Sequence, residues 1–203
     1  MKNHGVDASL EYHQRVGIVE LTVRGNFTYA HNTILDNDQP RWAEPYLNKI
    51  GQSNWQEYGL VAAGLFSSQE EIDAWPVQSW GEVHPGDIKY LDLNGDGIVS
   101  PDDRKPIGYP NVPEITYGFG ASVKWKGFDL FFQGVGNVNF FANNTYTQPF
   151  TANSVSLSNV FTDLIGNYWS ENNPDANAKY PRLTTSANPN NSQQSTFWMV
   201  NGR

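Results

Sequence analysis

The chain has 203 residues, of which 38% are hydrophobic and 17% charged, and its formal net charge is -8. It contains no Cys, which excludes disulfides, thiolate metal ligands and cysteine nucleophiles. Its 13 Lys and Arg residues form no basic stripe, which argues against a nucleic-acid partner because phosphate binding needs clustered cations. Many aromatic residues (7 Trp, 10 Tyr and 11 Phe) together with 18 Gly and 12 Pro predict an all-β fold of extended segments and turns.

Residues 1–30 are predicted to form a hairpin of two long antiparallel strands. Apolar and polar residues alternate from Val6 to Tyr12 and again from Val19 to Tyr29, and a turn is expected at residues 15–17. Strict alternation is the pattern of a strand that has one apolar and one polar face.

Residues 31–113 are predicted to form a long, folded, acidic loop. They contain 13 Asp and Glu against 5 Lys and Arg, which accounts for the whole net charge of -8. Ser68 and Glu71 have the spacing of a capping box, so a short helix is expected to begin there.

The same loop contains the spacing of a calcium-binding loop, beginning at Asp92. The predicted ligands are oxygen donors at positions 1, 3, 5, 7, 9 and 12, with Gly97 at the turn: Asp92, Asn94, Asp96, the Ile98 carbonyl, Ser100 and Asp103. Asp at position 12 is one methylene shorter than the usual Glu, so we expect one structural Ca²⁺, bound more weakly than by a sensor protein. A turn stabilised by its own Asp and Asn side chains, without an ion, remains the alternative.

Residues 114–136 are predicted to form a second hairpin, which turns at Lys126 and Gly127. Residues 137–203 are expected to form a second long loop and the start of a further strand. The Asn-rich part of this loop, 137–191, predicts irregular surface structure.

Two architectures account for these strands on pattern alone. Strands of more than about ten residues favour a transmembrane β-barrel with short turns on one side and long extracellular loops on the other. The alternative is a soluble carbohydrate-binding β-sandwich with a structural calcium loop. The sandwich would bury Val19, Leu21, Val23 and Phe27 against a second sheet, whereas the barrel would expose them to lipid.

No group of residues indicates an enzyme. The four His residues lack metal or triad spacing, and no pair of carboxylates suggests glycoside hydrolysis. Trp42 and Trp55 are the candidate substrate-binding residues, because exposed rings stack on sugars and on peptide groups. Four Trp residues in one folded loop, which also has Trp75 and Trp80, are alternatively its own small core.

Several sequence blocks follow one another in order along nearly the whole chain. They are Tyr58-Gly59 with Gly64-Leu65-Phe66, Pro85 to Gly97, Asp103-Arg104, Ile107 to Pro110, Pro113 to Gly120, Lys126 to Leu130, Phe132-Gln133-Gly134, Tyr180-Pro181-Arg182-Leu183 and Phe197-Trp198-Met199. In this order the blocks resemble the SusC/RagA family of TonB-dependent outer-membrane transporters.

The resemblance implies a 22-stranded barrel in the outer membrane of the cell, in contact with lipid. Such a transporter imports an oligosaccharide or peptide together with a SusD-like surface lipoprotein, and it contacts TonB through a plug that this chain lacks. We therefore expect the chain to be a piece of the barrel with its extracellular loops, acting in nutrient uptake and not as an enzyme.

Overall fold

The computed structural model describes residues 1–138, 141–143, 162–184 and 188–201. Its strands, in chain order, are β1 (Lys2–Val16), β2 (Val19–Thr33), β3 (Tyr58–Gly59), β4 (Ala62–Leu65), β5 (Val77–Gln78), β6 (Ile88–Tyr90), β7 (Ile98–Val99), β8 (Lys105–Pro106), β9 (Ile115–Trp125), β10 (Phe128–Val138), β11 (Phe141–Asn143) and β12 (Met199–Asn201). The α-helix α1 (Gln69–Asp73) is a single short turn. The predicted all-β fold is confirmed.

Four long strands form one antiparallel sheet in the order β1-β2-β9-β10. The turn between β1 and β2 is Gly17-Ile18, not the predicted 15–17, because Val16 still pairs with Val19 and completes the ladder. The turn between β9 and β10 falls at Lys126 and Gly127, whose φ angles are +47° and +86°. Two consecutive positive φ angles match the right-handed twist of the flanking strands, as in a type I′ hairpin turn.

The register gives this sheet one apolar and one polar face. Tyr12 lies opposite Val23, Val23 opposite Ala121, and Ala121 opposite Phe132, so their side chains share one face. The neighbouring positions, His13, Thr22 and Ser122, line the other face. Because successive side chains point to opposite sides of a strand, this registry gathers most apolar side chains on one face. On β10, Phe131 and Val135 are exceptions that lie on the polar face. The apolar face holds Val6, Ala8, Leu10, Tyr12, Val16, Val19, Leu21, Val23, Phe27, Tyr29, Ile115, Tyr117, Phe119, Ala121, Val123, Trp125, Phe128, Leu130, Phe132 and Val138.

The apolar face has no second layer among the described residues. Leu10 and Leu130 are 75% and 73% exposed, and Val23 and Phe27 are 44% and 42% exposed. A soluble sandwich would bury these residues against a second sheet. The described residues therefore leave the apolar face of this sheet uncovered.

The core lies away from this sheet, in the long loops. Its buried members are Leu60, Leu65, Ile88, Tyr90, Val99, Leu164, Trp169, Tyr180 and Trp198. The first five belong to the loop that precedes β9 and the last four to the segment that follows β10, so the two loops pack into one unit. We refer to the described residues 58–107 and 162–198 as the loop unit.

Backbone hydrogen bonds join the two halves of the loop unit. The Leu60 N–H donates to the Gln194 carbonyl (2.9 Å), and the Arg182 N–H donates to the Gly86 carbonyl (2.9 Å). Short strand pairs, β3 with β8 and β4 with β6, complete the first half. The unit is therefore organised by pairing over long sequence separations instead of by long strands.

The predicted helix begins at α1, but only one of the two bonds of a capping box is present there. The Ser68 hydroxyl accepts the backbone N–H of Glu71 at 3.3 Å, and the Glu71 carboxylate accepts the backbone N–H of Ser67 at 2.8 Å. Glu71 also pairs with Lys89, whose ammonium lies 5.0 Å from the centre of the Trp75 ring. These contacts fix α1 against β6.

The prediction that the Asn-rich segment 137–191 is surface structure is wrong for three of its described Asn residues. Asn188, Asn190 and Asn191 are all buried. Their amides bind buried acceptors, including Asp87 and the Ile88 carbonyl. Residues 139–140, 144–161 and 185–187 of this segment lie outside the described residues.

Candidate functional site

The Asp-rich loop 92–103 is held together by hydrogen bonds from its own backbone. The two carboxylate oxygens of Asp92 accept the N–H groups of Gly95 (2.7 Å) and Gly97 (2.8 Å). The Asn94 Oδ1 accepts the Asp96 N–H at 3.1 Å, and the Asp96 Oδ1 accepts the Ile98 N–H at 2.8 Å. Gly95 and Gly97 both have positive φ angles, which allow this tight winding.

Asp103, the last predicted calcium ligand, closes the loop from the inside. It is fully buried. Its Oδ1 accepts the N–H of Leu93 at 2.6 Å and that of Asn94 at 3.3 Å, and its Oδ2 accepts the Ser100 N–H at 2.7 Å. The Ser100 hydroxyl in turn caps the 3-10 turn Pro101–Asp103. Both oxygens of Asp103 are therefore already engaged by the backbone.

The ability of this loop to bind an ion depends on which of its oxygens keep a lone pair. Among the described residues, no three His, Asp or Glu side chains are grouped to hold a metal ion. The oxygens of Asp92, Asn94 and Asp96 that accept one N–H each retain a lone pair, because carboxylate and amide oxygens can accept two bonds. Calcium binding stays a prediction.

Tyr46 lies beside this loop with its hydroxyl buried. Among the described residues the hydroxyl has no hydrogen-bond partner. Burial, followed by the negative charges of Glu44 and Asp103, raises the pKa of Tyr46 to about 12. The phenol therefore stays protonated throughout the physiological range.

Trp42, the first candidate substrate-binding residue, lines an open cavity of about 880 Å³. Its ring is 40% exposed, and its indole N–H donates to the Gln39 side chain at 3.4 Å. Gln39 also binds Asn48, whose carbonyl accepts the Tyr58 hydroxyl at 3.1 Å. These contacts hold an extended segment with little regular structure in a defined shape.

Trp55, the second candidate, is 52% exposed but does not line this cavity. Its carbonyl accepts the Asn111 N–H at 3.2 Å, which places it close to the segment that leads into β9. The structure therefore presents Trp42 and Trp55 as two separate exposed aromatic residues. Trp80, in contrast, packs against the core residue Tyr90, with ring centres 6.1 Å apart.

Asp87 is the most densely bonded polar group in the loop unit, and no role was predicted for it from the sequence. This carboxylate is fully buried. It accepts the Arg182 Nε at 2.7 Å and Nη2 at 3.1 Å, and the side-chain amides of Asn188 and Asn191 at 2.8 Å each. The His84 backbone N–H donates to it at 2.9 Å. Asp87 and Arg182 lie in two of the blocks that carry the family resemblance, 85–97 and 180–183, but only the fold shows that these two residues are in contact.

A second cavity, of about 530 Å³, lies next to the paired side chains of Asp87 and Arg182. Its lining residues are Ser67, His84, Pro85, Trp169, Glu171, Pro174 and Arg182. Trp169 is 6% exposed, and its indole N–H has no acceptor among the described residues. Gly86, with φ at +88°, packs on this ring so closely that a Cβ there would lie 2.2 Å from the ring.

Comparisons with known proteins identify relatives for part of the chain. It is 39% identical over 87 residues to TonB-dependent receptor P26 and 35% identical over 85 residues to TonB-dependent receptor P3, both of Formosa agariphila. These matches cover 42% and 41% of this chain, but each covers only 8% of the receptor. No protein-family model matches the chain.

Solved structures share the fold over nearly the whole chain. The RagAB peptide importer in its closed-closed state superposes with a TM-score of 0.63 at 21% identity, covering 98% of this chain and 21% of that one. The open-open state of the same importer gives a TM-score of 0.59 at 19% identity. The chain therefore spans about a fifth of this structural relative. No helix among the described residues is long and apolar enough to cross a membrane.

Proposed function

We propose that this chain, a relative of the SusC/RagA family of TonB-dependent transporters, forms part of the wall and the extracellular vestibule of an outer-membrane nutrient importer. The observation that carries the proposal is the four-stranded sheet with one continuous apolar face and no layer covering it among the described residues. A soluble protein rarely leaves an apolar patch larger than a few hundred Å² in water. Lipid is the partner that suits such a face, whereas the polar face suits a water-filled lumen.

Strand length supports a membrane-spanning role. The strands β9 and β10 have 11 residues each, and β1 and β2 have 15 each. A tilted strand crosses the hydrocarbon region in about 9–11 residues, whereas strands of soluble proteins usually have 5–6. The additional residues of β1 and β2 would extend beyond the bilayer and lead into the loop unit.

The polar face carries charges that suit a lumen. Lys124 lies opposite Asp129 at 3.7 Å, and Thr28 donates to Asp7 at 3.1 Å. Arg24 lies on the same face, opposite Glu11. Charged side chains on the lipid face would be costly, and here they lie on the opposite face.

In this proposal the loop unit forms the vestibule at the cell surface, since short turns face the periplasm in these barrels. Trp42 and Trp55 would contact the cargo, an oligosaccharide or a peptide. A SusD-like surface lipoprotein would cover the vestibule, and TonB would act through a plug outside this chain. The names of the relatives, receptor and peptide importer, support transport and not catalysis.

Uptake by intact cells tests the proposal. Deletion of the gene that encodes the chain should abolish uptake of one labelled nutrient while leaving others unchanged, and the protein should fractionate with the outer membrane. Trp42→Ala combined with Trp55→Ala should slow uptake, whereas Trp75→Ala, which is partly buried beside Lys89, serves as a control for loop stability. Recovery of the protein in the aqueous fraction without detergent, or hydrolysis of a glycan by the purified protein, would contradict the proposal.

The calcium site is a further part of the proposal. Binding would bring the remaining lone pairs of Asp92, Asn94 and Asp96 to one ion, with the Ile98 carbonyl, while Asp103 keeps the loop closed. Ca²⁺ prefers such oxygen ligands at about 2.3–2.6 Å. Calorimetry should detect binding that Asp96→Ala removes and that Asp73→Ala, on α1, leaves intact. Absence of binding at millimolar calcium would leave the hydrogen-bonded turn as the whole role of this loop.

A further inference from the structure

The Asp87 and Arg182 pair leaves half of the guanidinium available. Arg182 uses Nε and one N–H of Nη2 to bind Asp87. A guanidinium has five N–H donors in a fixed fork, so Nη1 and the second N–H of Nη2 point away from Asp87. No described residue accepts a hydrogen bond from Nη1, and Arg182 lines the 530 Å³ cavity. The cavity therefore contains an arginine fork whose orientation is already fixed.

The anchor of this fork is rigid because Asp87 is fully buried and bonded by two further side chains, Asn188 and Asn191. An arginine held in this way loses little conformational entropy when it binds a second group, and planar carboxylates fit its fork in a bidentate manner. The chemistry at this end of the cavity is recognition of a carboxylate.

The rest of the cavity combines apolar walls with three polar residues, Ser67, His84 and Glu171. Pro85, Pro174 and Trp169 supply the apolar surface, and Glu171 supplies an acceptor. Sugars are usually bound by stacking on an open aromatic face, but Trp169 is only 6% exposed and Gly86 packs on its ring. The apolar walls instead suit the side chain of an amino acid, and Glu171 suits a peptide N–H.

We propose that this cavity binds the C-terminal end of a peptide, with its free α-carboxylate in the outward fork of Arg182 and its last side chain between Pro85 and Pro174. The inference deepens the proposed import function, on which it rests, because it selects peptides with a free C-terminus as cargo. Glu171, and Glu82 near His84, add negative charge at the rim. The fork must therefore outweigh a local repulsion.

The test compares two short peptides of identical sequence, one with a free C-terminus and one with a C-terminal amide, bound to the purified intact transporter. Because charge-assisted bidentate bonds are about twice as strong as neutral ones, we expect the amide to bind about tenfold more weakly. Glu171→Gln keeps an acceptor oxygen but removes a negative charge, so it should increase the preference for the free acid over the amide. Equal affinity for the two peptides would overturn the inference.

Arg182→Lys tests the fork while keeping a cation beside Asp87. It should reduce the preference for the free acid, because an ammonium cannot bind two carboxylates in a planar arrangement. Arg104→Lys is the matched control, since Arg104 binds Gln193 and does not line the cavity. Arg182→Lys should lower the melting temperature, because the bidentate bond to the buried Asp87 is lost, so binding is compared at a temperature at which both variants are folded. An unchanged preference in Arg182→Lys, or Arg182-dependent binding of a uronic-acid oligosaccharide in place of peptide, would refute the peptide assignment.

Uptake assays distinguish failure of the inference about the cavity from failure of the proposed import function. Peptide uptake that does not depend on a free C-terminus would refute the inference while the import function stands. Absence of uptake of every peptide and oligosaccharide by the gene's product would refute the import function. Binding to the purified protein decides the role of the cavity in either case.

Discussion

Phe132 provides a sharp test of lipid contact, because it lies near the middle of the apolar face. It is four residues from Phe128, the first residue of β10 after the turn. With a rise of about 3.4 Å per residue and a tilt of about 40°, it lies about 10 Å above that turn, close to the midplane of an apolar band about 25 Å tall. Its side chain is 62% exposed in the isolated chain.

Phe132→Arg should therefore destabilise the protein in a bilayer by about 2–4 kcal/mol. Because about 1.4 kcal/mol corresponds to a tenfold change in an equilibrium constant, the ratio of folded to unfolded protein would fall about 30-fold to nearly 1,000-fold. Ser122→Arg is the matched control, because Ser122 follows Ala121, the partner of Phe132, and lies on the polar face. Urea titration of the transporter folded into lipid vesicles measures both. Equal costs for the two substitutions would refute the assignment of the faces.

Three further predictions concern the loop unit. The hydrogen bond from Lys89 and that from the Ser67 backbone lower the pKa of Glu71, so its contribution to stability is present above its ordinary value of 4.5 and is lost as pH falls through the lower folded value. Lys89→Met should weaken this acid dependence in thermal melts of the transporter. Asp87→Ala should cost about 3–5 kcal/mol, since it leaves a partly buried arginine and two buried amides without their acceptor, and urea titration would measure the loss. Gly86→Ala should destabilise the unit more than Gly81→Ala, because both glycines have positive φ but only the first would place a Cβ in contact with other atoms, and a comparison of melting temperatures would show the difference.

The strands could be predicted because their signal is local. Alternation along residues 19–29 specifies both the strand and the side of the sheet to which each side chain points, and Lys126-Gly127 marks a turn whatever surrounds it. The helix cap at Ser68 is likewise contained within four residues. The first turn was misplaced, since Val16 and Val19 still pair, and β2 and β10 extend to Thr33 and Val138, past the predicted hairpin ends.

The loop unit could not be predicted in the same way, because its partners are distant in sequence. Asp87 and Asn188 are 101 positions apart, and nothing local to either residue shows that they meet. An Asn-rich composition predicts surface structure, yet Asn190 is buried because its amide reaches the Ile88 carbonyl. In the loop that begins at Asp92, the same Asp and Asn oxygens can bind a calcium ion or accept backbone N–H groups. The residue pattern therefore suits either arrangement.

The most direct test of the central claim measures which side chains face lipid. The chain has no Cys, so single substitutions can be labelled specifically. Leu21→Cys, Val23→Cys, Thr22→Cys and Arg24→Cys would each carry a spin label in the transporter within a bilayer. We expect accessibility to lipid-soluble oxygen at 21 and 23 and to a water-soluble reagent at 22 and 24, in strict alternation. Equal access of the water-soluble reagent to all four positions would contradict it.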